Sequence, residues 1–156
     1  MKRITLIIAA LIIASFALPA LAGPLTDMPL KEIAGCGKTW GKDKACDFKL
    51  GKHDYRIKQP NIKVVDTTVL IELDFDRKKS MASDDHWAAD LEYKECGKRA
   101  SAKFGERKDG KLKEKKINDD WEKTLKKLVG DLNKKWRKLI PEHENCKKEA
   151  KKEEKK

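Results

Sequence analysis

The chain lacks the short motifs that mark the common enzyme classes. It has no phosphate-binding or dinucleotide-binding glycine loop, no G-x-S-x-G nucleophile motif, no HExxH pair and no CxxCH haem site. Its three histidines, His53, His86 and His143, are widely separated in the sequence. We therefore expect no cofactor, no metal and no recognisable catalytic residue. The sequence favours a non-enzymatic protein without deciding the question.

Large apolar residues are scarce after the first 22 positions. Leu, Ile, Val and Phe supply only 24 of the 134 residues from Gly23 onwards, close to the level at which highly charged chains fail to fold. No apolar run in this part is long enough to span a membrane. The length suits one domain, but its core must be small. We infer that something besides apolar burial stabilises the chain.

Residues 1–22 have the three parts of a cleavable signal peptide. Lys2 and Arg3 precede an apolar run over 4–18, and small alanines stand three residues and one residue before a cleavage point after Ala22. The run is shorter than the ~20 residues that cross a bilayer, which argues against the alternative of an uncleaved anchor. The sequence thus predicts a periplasmic or secreted product with no integral membrane segment after cleavage.

Four cysteines remain in the predicted mature chain: Cys36, Cys46, Cys96 and Cys146. An even number in an exported chain with a small core predicts two disulfides. Three connectivities are possible and the spacing does not decide among them; we expect Cys36–Cys46 and Cys96–Cys146, a short loop and a tie from the end of the chain to its middle. A four-thiolate zinc site is the alternative, but no C-x-x-C pair is present to support it.

Alternation of apolar and polar residues predicts several β-strands. The phase of the alternation slips at Val64–Val65, which indicates a β-bulge or a turn near 66–67. Asp109-Gly110 is typical of a tight hairpin turn, and the lysine-rich segment after it suits a sheet edge. The predicted strands cover residues 46–50, 55–57, 62–75, 87–96, 100–104 and 111–117.

A helical period replaces this alternation near Asn118, which we expect to cap a helix that Pro141 ends. At 100° per residue the apolar side chains of this segment fall within one arc. They are Trp121, Leu125, Leu128, Val129, Leu132, Trp136, Leu139 and Ile140. A short helix from Thr26 to Gly35 is also expected.

Strands followed by one long amphipathic helix predict an α+β fold. We expect a small, meander-like antiparallel sheet of about five to six strands, covered by the C-terminal helix and stabilised by disulfides. The expected organisation is a signal peptide at 1–22, a single α+β domain at 23–146 and a charged, disordered tail at 147–156.

The face of the C-terminal helix opposite its apolar stripe is strongly basic. Removal of Lys2 and Arg3 with the signal peptide lowers the net charge from +11 to +9, which still favours an acidic partner. We expect this face to bind an acidic protein or an anionic envelope polymer, although a merely solvated face has the same pattern. Nucleic acid is not favoured, because the helix tryptophans face the core. The candidate binding residues are Lys123, Lys126, Lys127, Lys134, Arg137 and Lys138.

Three further hypotheses remain open. The chain can be a small secreted hydrolase, such as a nuclease, that uses His53 or His86, or it can be a structural component of the envelope. The segment Asp84-Asp85-His86-Trp87 is either a metal or ligand contact or, as we favour, a polar turn followed by a core tryptophan. The sequence does not indicate the oligomeric state.

Overall fold

The computed structural model describes Leu25, Cys36, Trp40 and residues 44–154. In the continuous part, seven strands precede two helices. The strands are β1 (Ala45–Leu50), β2 (His53–Lys58), β3 (Asn61–Val65), β4 (Thr68–Arg77), β5 (Asp85–Lys94), β6 (Arg99–Lys108) and β7 (Lys111–Glu114). The helices are α1 (Asp120–Leu139) and α2 (Glu144–Glu153), with a 3₁₀ turn at Ile140–Glu142 between them. The expected signal peptide at 1–22 and the expected helix over 26–35 lie outside the described residues.

All seven strands form one antiparallel sheet with the order β1-β2-β4-β5-β6-β7, and β3 pairs with β4 beside β2. The strand β2 pairs with the last residues of β4, and β3 pairs with its first half. Gln59-Pro60 separates the two, because proline lacks the N–H that a strand ladder needs. This break was predicted, but the turn at Asp66 also divides the predicted strand 62–75 into β3 and β4, so the sheet has seven strands where the sequence predicts five to six.

The turns follow the sequence prediction closely. The phase slip at Val64–Val65 is a turn between β3 and β4, in which Asp66 has a φ of 51°. Asp109 and Gly110 have φ values of 51° and 75°, and they join β6 to β7. Two successive residues with positive φ match the right-handed twist of the flanking strands. Both predicted turns are confirmed.

The core lies between one face of the sheet and α1. Alternate residues of β4 and β5 are buried there against the apolar stripe of the helix, so the predicted α+β architecture is confirmed. Tyr93 Oη donates a hydrogen bond to Asn133 Oδ1 at 2.7 Å, which fixes the helix relative to β5. The fully buried side chains of α1 and its 3₁₀ extension are Leu125, Val129, Trp136 and Ile140.

Two disulfides tie the ends of the chain to this core. They join Cys36 to Cys46 and Cys96 to Cys146, the pairing that we expected, with Cα atoms 5.7 and 5.6 Å apart. Leu25 is also buried, and its carbonyl oxygen accepts a hydrogen bond from Trp136 Nε1. Leu25 is thus held on α1 and Cys36 on the first strand of the sheet.

The tail expected to be disordered is helical as far as Glu153. His143 begins this helix, because its Nδ1 atom accepts a hydrogen bond from the backbone N–H of Asn145 at 3.3 Å. The disulfide at Cys146 then fixes the first turn to the body of the protein. The apolar pattern misses this helix because its stabilisation comes from a cap and a covalent bond. No helix in the described part of the chain has the length and apolarity to cross a membrane.

Candidate functional site

The helix α1 begins with a reciprocal capping arrangement. Asp119 stands before its first turn, and a carboxylate oxygen of Glu122 accepts hydrogen bonds from the backbone N–H groups of Asp119 at 3.1 Å and Asn118 at 3.0 Å. These contacts satisfy donors that a helix start leaves free. The cap is Asp119, so the prediction of Asn118 was wrong by one residue. With its apolar stripe buried, α1 is a rigid platform for the side chains on its outer side.

The six predicted binding residues all lie exposed on this outer side. We call them the basic face: Lys123, Lys126, Lys127, Lys134, Arg137 and Lys138. Their spacing places them within an arc of about 120° opposite the buried stripe. The structure therefore brings the predicted residues together on one surface.

Two cations of the basic face make ion pairs with carboxylates one helical turn away. Lys123 Nζ lies 3.0 Å from Asp120 Oδ1, and Lys134 Nζ lies 3.3 Å from Asp131 Oδ1. The hydrogen bond from Lys123 lowers the pKa of Asp120. Exposed pairs of this kind are screened by solvent and contribute little to stability. Their lysines thus remain available to a stronger anion.

The other four cations are not held by carboxylates of the described residues. Lys126 Nζ lies 5.3 Å from the ring centre of Phe104, and Arg137 Nε donates to the carbonyl oxygen of Gly97 at 3.3 Å. Within the described part of the chain, Lys127 and Lys138 make no ion pair or hydrogen bond. The basic face thus has more positive charge than its own surroundings neutralise.

A groove of about 350 Å³ extends this positive surface from α1 towards β6 and β7. Phe104 lies in its wall, stacked on Trp87 with ring centres 5.5 Å apart. Sequence reasoning assigned Lys115 and Lys116 to a protected sheet edge and Lys126 to the basic face, and it missed the groove because the contact between β6 and α1 joins residues distant in sequence. The cationic residues that line the groove are Lys103, Lys115, Lys116 and Lys126.

The three histidines lie in three separate places. The His53 ring stands 6.2 Å from that of Tyr55 on the helix-covered side of the sheet, whereas His86 follows the opposite phase and lies exposed on the other side. His143 is buried at the start of α2. Among the described residues, no group of three or more His, Cys, Asp or Glu side chains is placed to hold a metal ion.

The acidic segment before Trp87 is engaged in local ion pairs. Asp85 contacts Arg77 and Lys79, with Lys79 Nζ at 2.5 Å. Burial raises the pKa of this carboxyl group, but the hydrogen bonds from Lys79 and Arg77 outweigh it and the net shift is downward. Trp87 packs into the core. Asp85 and His86 already belong to β5, so the segment is the polar start of a strand that continues into a core tryptophan rather than a turn.

The uncovered face of the sheet has a second cluster of charges, which sequence reasoning did not identify. Register places Asp47 opposite Arg56, Arg56 opposite Asp76, and Asp76 opposite His86. Arg56 Nε donates to Asp47 Oδ1 at 2.8 Å, and His86 Nδ1 lies 2.5 Å from Asp76 Oδ1. Because Arg56 and Arg107 each pair with carboxylates of neighbouring strands, this surface is largely neutralised by its own residues.

The basic face is therefore the surface best suited to bind a charged partner. It combines a rigid helix, six exposed cations and an adjoining cationic groove. Such an arrangement attracts and holds anionic groups by electrostatics, and its affinity should fall with added salt. No protein-family model, curated protein or solved structure matches this chain.

Proposed function

We propose that this protein is an exported, non-enzymatic binding domain that holds an acidic partner on the basic face of α1. The observation that carries the proposal is the convergence of six exposed cations on one rigid helix, with Lys127 and Lys138 unpaired within the described part of the chain. The partner is an acidic protein or an anionic polymer of the cell envelope. Binding requires no cofactor or metal.

Export is the second part of the proposal, and it rests on the N-terminal segment and the cysteines. A signal peptide over residues 1–22 directs the chain out of the cytoplasm. In the oxidising environment outside it, the pairs Cys36–Cys46 and Cys96–Cys146 are stable as disulfides. The mature domain acts in the periplasm or the medium. Mass spectrometry of the exported protein should give a chain that starts at Gly23 with four oxidised cysteines; an N-terminus at Met1 would contradict this.

Two triple variants with equal net charge test the binding surface. The first variant changes Lys123, Lys127 and Lys138 to Gln. The second also introduces three glutamines, at exposed lysines outside α1: Lys49, Lys58 and Lys111. Affinity for heparin, used as a probe polyanion, is measured against salt concentration. Only the first variant should reduce the slope of log affinity against log salt concentration, by roughly two to three. Each lost contact between a lysine and the polyanion removes about one counterion from those released on binding.

The outcomes of this test are distinct. Equal losses in both variants would show that net charge, not the basic face, causes binding. Failure of the native protein to bind heparin, anionic liposomes or envelope extract at low ionic strength would overturn the proposal as a whole.

A hydrolase remains a second candidate because of one observation, the His86–Asp76 pair on the uncovered face. A carboxylate on Nδ1 orients the imidazole so that Nε2 can accept a proton, and the His86 side chain is 69% exposed. Assays on RNA, DNA and cell wall compare the native protein with His86→Ala. Activity that disappears in the variant would favour the enzyme over the binding domain.

A further inference from the structure

A glycine stands at the centre of the basic face. Gly130 lies in the middle of α1, with Lys126 and Lys127 one turn before it and Lys134 one turn after it. Residues three and four apart are neighbours on a helix surface, so cations border this glycine on both sides. Because glycine has no side chain, the basic face has a gap between these lysines.

The fold itself gives no reason for this glycine. Of the five described glycines, Gly51, Gly97 and Gly110 have positive φ, and a Cβ atom at Gly105 would lie 2.0 Å from the carbonyl oxygen of Lys113. At Gly130 the backbone is helical, and a Cβ atom would meet nothing within 4 Å among the residues that the structure describes. Glycine at such a position costs the helix about 1 kcal/mol relative to alanine.

The close approach of a ligand to the helix backbone explains why glycine stands here despite its cost to helix stability. Where no side chain projects, an incoming group can lie nearer to the helix axis, among the ammonium groups of Lys126, Lys127 and Lys134. The basic face extends from Lys123 to Lys138, about 22 Å along the axis. An extended ligand is therefore needed to contact all of it.

The chemistry of the face favours a polymer of phosphate groups over a protein. Protein interfaces depend on buried aromatic or apolar anchors, but the basic face has none, and the large apolar residues exposed in the described chain, Val65 and Met81, lie outside α1. Five of its six cations are lysines, whose point charges and rotatable donors contact phosphate oxygens that approach from any direction.

We propose that a linear phosphate-bearing polymer binds along the basic face and is recognised through its phosphates. Gly130 and the flanking Lys126, Lys127 and Lys134 form the centre of this binding site, which we call the seat. The inference rests on the proposed function, because it specifies the partner of the same surface. The tryptophans of α1 are directed to the core, so stacking on bases has no part in recognition.

The test changes the seat without changing its charge. In the processed full chain, Gly130→Gln places a neutral side chain over the seat, and Thr124→Gln adds the same group on the flank of α1 as a matched control. We expect Gly130→Gln to weaken binding of inorganic polyphosphate about tenfold, equivalent to about 1.4 kcal/mol, and to raise the melting temperature. The control should bind polyphosphate as the native protein does.

Each outcome distinguishes the seat from the proposed function. Native affinity in Gly130→Gln, combined with weak binding in the triple lysine variant, overturns the seat and leaves the basic face as the binding surface. Equal affinity for polyphosphate and polyglutamate of matched charge overturns the preference for phosphate. Binding to none of the polyanions overturns both proposals.

The polymer source is resolved by a further comparison. An abasic oligodeoxynucleotide presents phosphates as a diester chain, and polyphosphate presents them as an anhydride chain; neither has bases. The probe that binds more tightly identifies the type of phosphate backbone. An oligonucleotide with bases that binds at least tenfold more tightly than the abasic one contradicts recognition through phosphates alone.

Discussion

Arg107 illustrates how single residues stabilise the uncovered face of the sheet. Its guanidinium donates to Asp74 Oδ1 at 2.9 Å and to Asp90 Oδ1 at 2.5 Å. To reach β4 from β6 the side chain must cross β5, where register places the small residue Ala88 opposite Asp74. Burial lowers the pKa of Arg107, but the two carboxylates outweigh it and raise the pKa overall.

Replacing this arginine should leave two carboxylates close together without a shared cation. We expect Arg107→Met to lower the free energy of unfolding by about 2 kcal/mol, since the Arg107 side chain is 14% exposed and its pairs are partly desolvated. Arg99→Met is the control, because Arg99 is 72% exposed and should cost less than about 0.5 kcal/mol. Urea unfolding measures the free energy of unfolding of both variants. Equal losses in Arg107→Met and Arg99→Met would contradict a stabilising role for the ion pairs of Arg107.

The lowered pKa of Asp85 predicts a pH dependence of stability. A carboxyl group whose pKa is lower in the folded state stabilises the fold above its ordinary value, and this contribution disappears as the pH falls through the folded value. Asp85→Asn should therefore cost about 1 kcal/mol at pH 7 and much less below about pH 3. Urea unfolding at both pH values checks this. An equal cost of Asp85→Asn at both pH values would contradict this prediction.

At the scale of elements, α2 depends on one covalent anchor. Among its described side chains only Cys146 is buried, and the helix otherwise reaches the sheet through Asn145 Nδ2, which donates to the carbonyl oxygen of Asp66 at 3.4 Å. A short helix made mostly of Lys and Glu is marginal in water without such support. The disulfide therefore keeps α2 folded.

Removing each disulfide in turn tests this dependence. The pair Cys96–Cys146 spans 50 residues and Cys36–Cys46 spans 10, so their removal should cost about 4 and about 3 kcal/mol respectively, because the longer loop restricts the unfolded chain more. Only Cys96→Ala/Cys146→Ala should also reduce the helical circular dichroism of the native state. Unchanged helix content in that variant would show that α2 is stable without its anchor.

The elements differ in how well the sequence predicts them, for physical reasons. The strand β4 and the helix α1 have long, regular apolar periods, and both are found where predicted. The division between β2 and β3 was predicted from Gln59-Pro60, whereas α2 was missed because it depends on a covalent contact that no local pattern shows. The basic face was predictable because one helix contains it, whereas the groove beside Phe104 requires contacts between distant segments.

At the scale of the whole molecule, a residue far from the sheet in sequence is part of the core. Leu25 is 2% exposed, although it stands only three residues after the predicted cleavage point at Ala22. Its carbonyl oxygen accepts the indole N–H of Trp136 on the helix that has the basic face. The structure thus links Leu25 to the stability of α1.

Truncating this residue should therefore destabilise the whole domain. We expect Leu25→Ala to lower the free energy of unfolding by about 3 kcal/mol, as for other fully buried leucines. The control is Val65→Ala, since Val65 is 66% exposed and should cost less than about 0.5 kcal/mol. Thermal unfolding of the processed protein measures both. A cost for Leu25→Ala no larger than that of the control would show that Leu25 does not contribute to the core.

The bond between Cys96 and Cys146 has a consequence for the products of proteolysis. The helix α1 lies wholly inside the loop that this bond closes, and its outer side presents the lysines and arginine at which trypsin cuts. A single nick there leaves both fragments in one covalently joined molecule. Such a nicked form would migrate as one band without a reducing agent and as two bands with it.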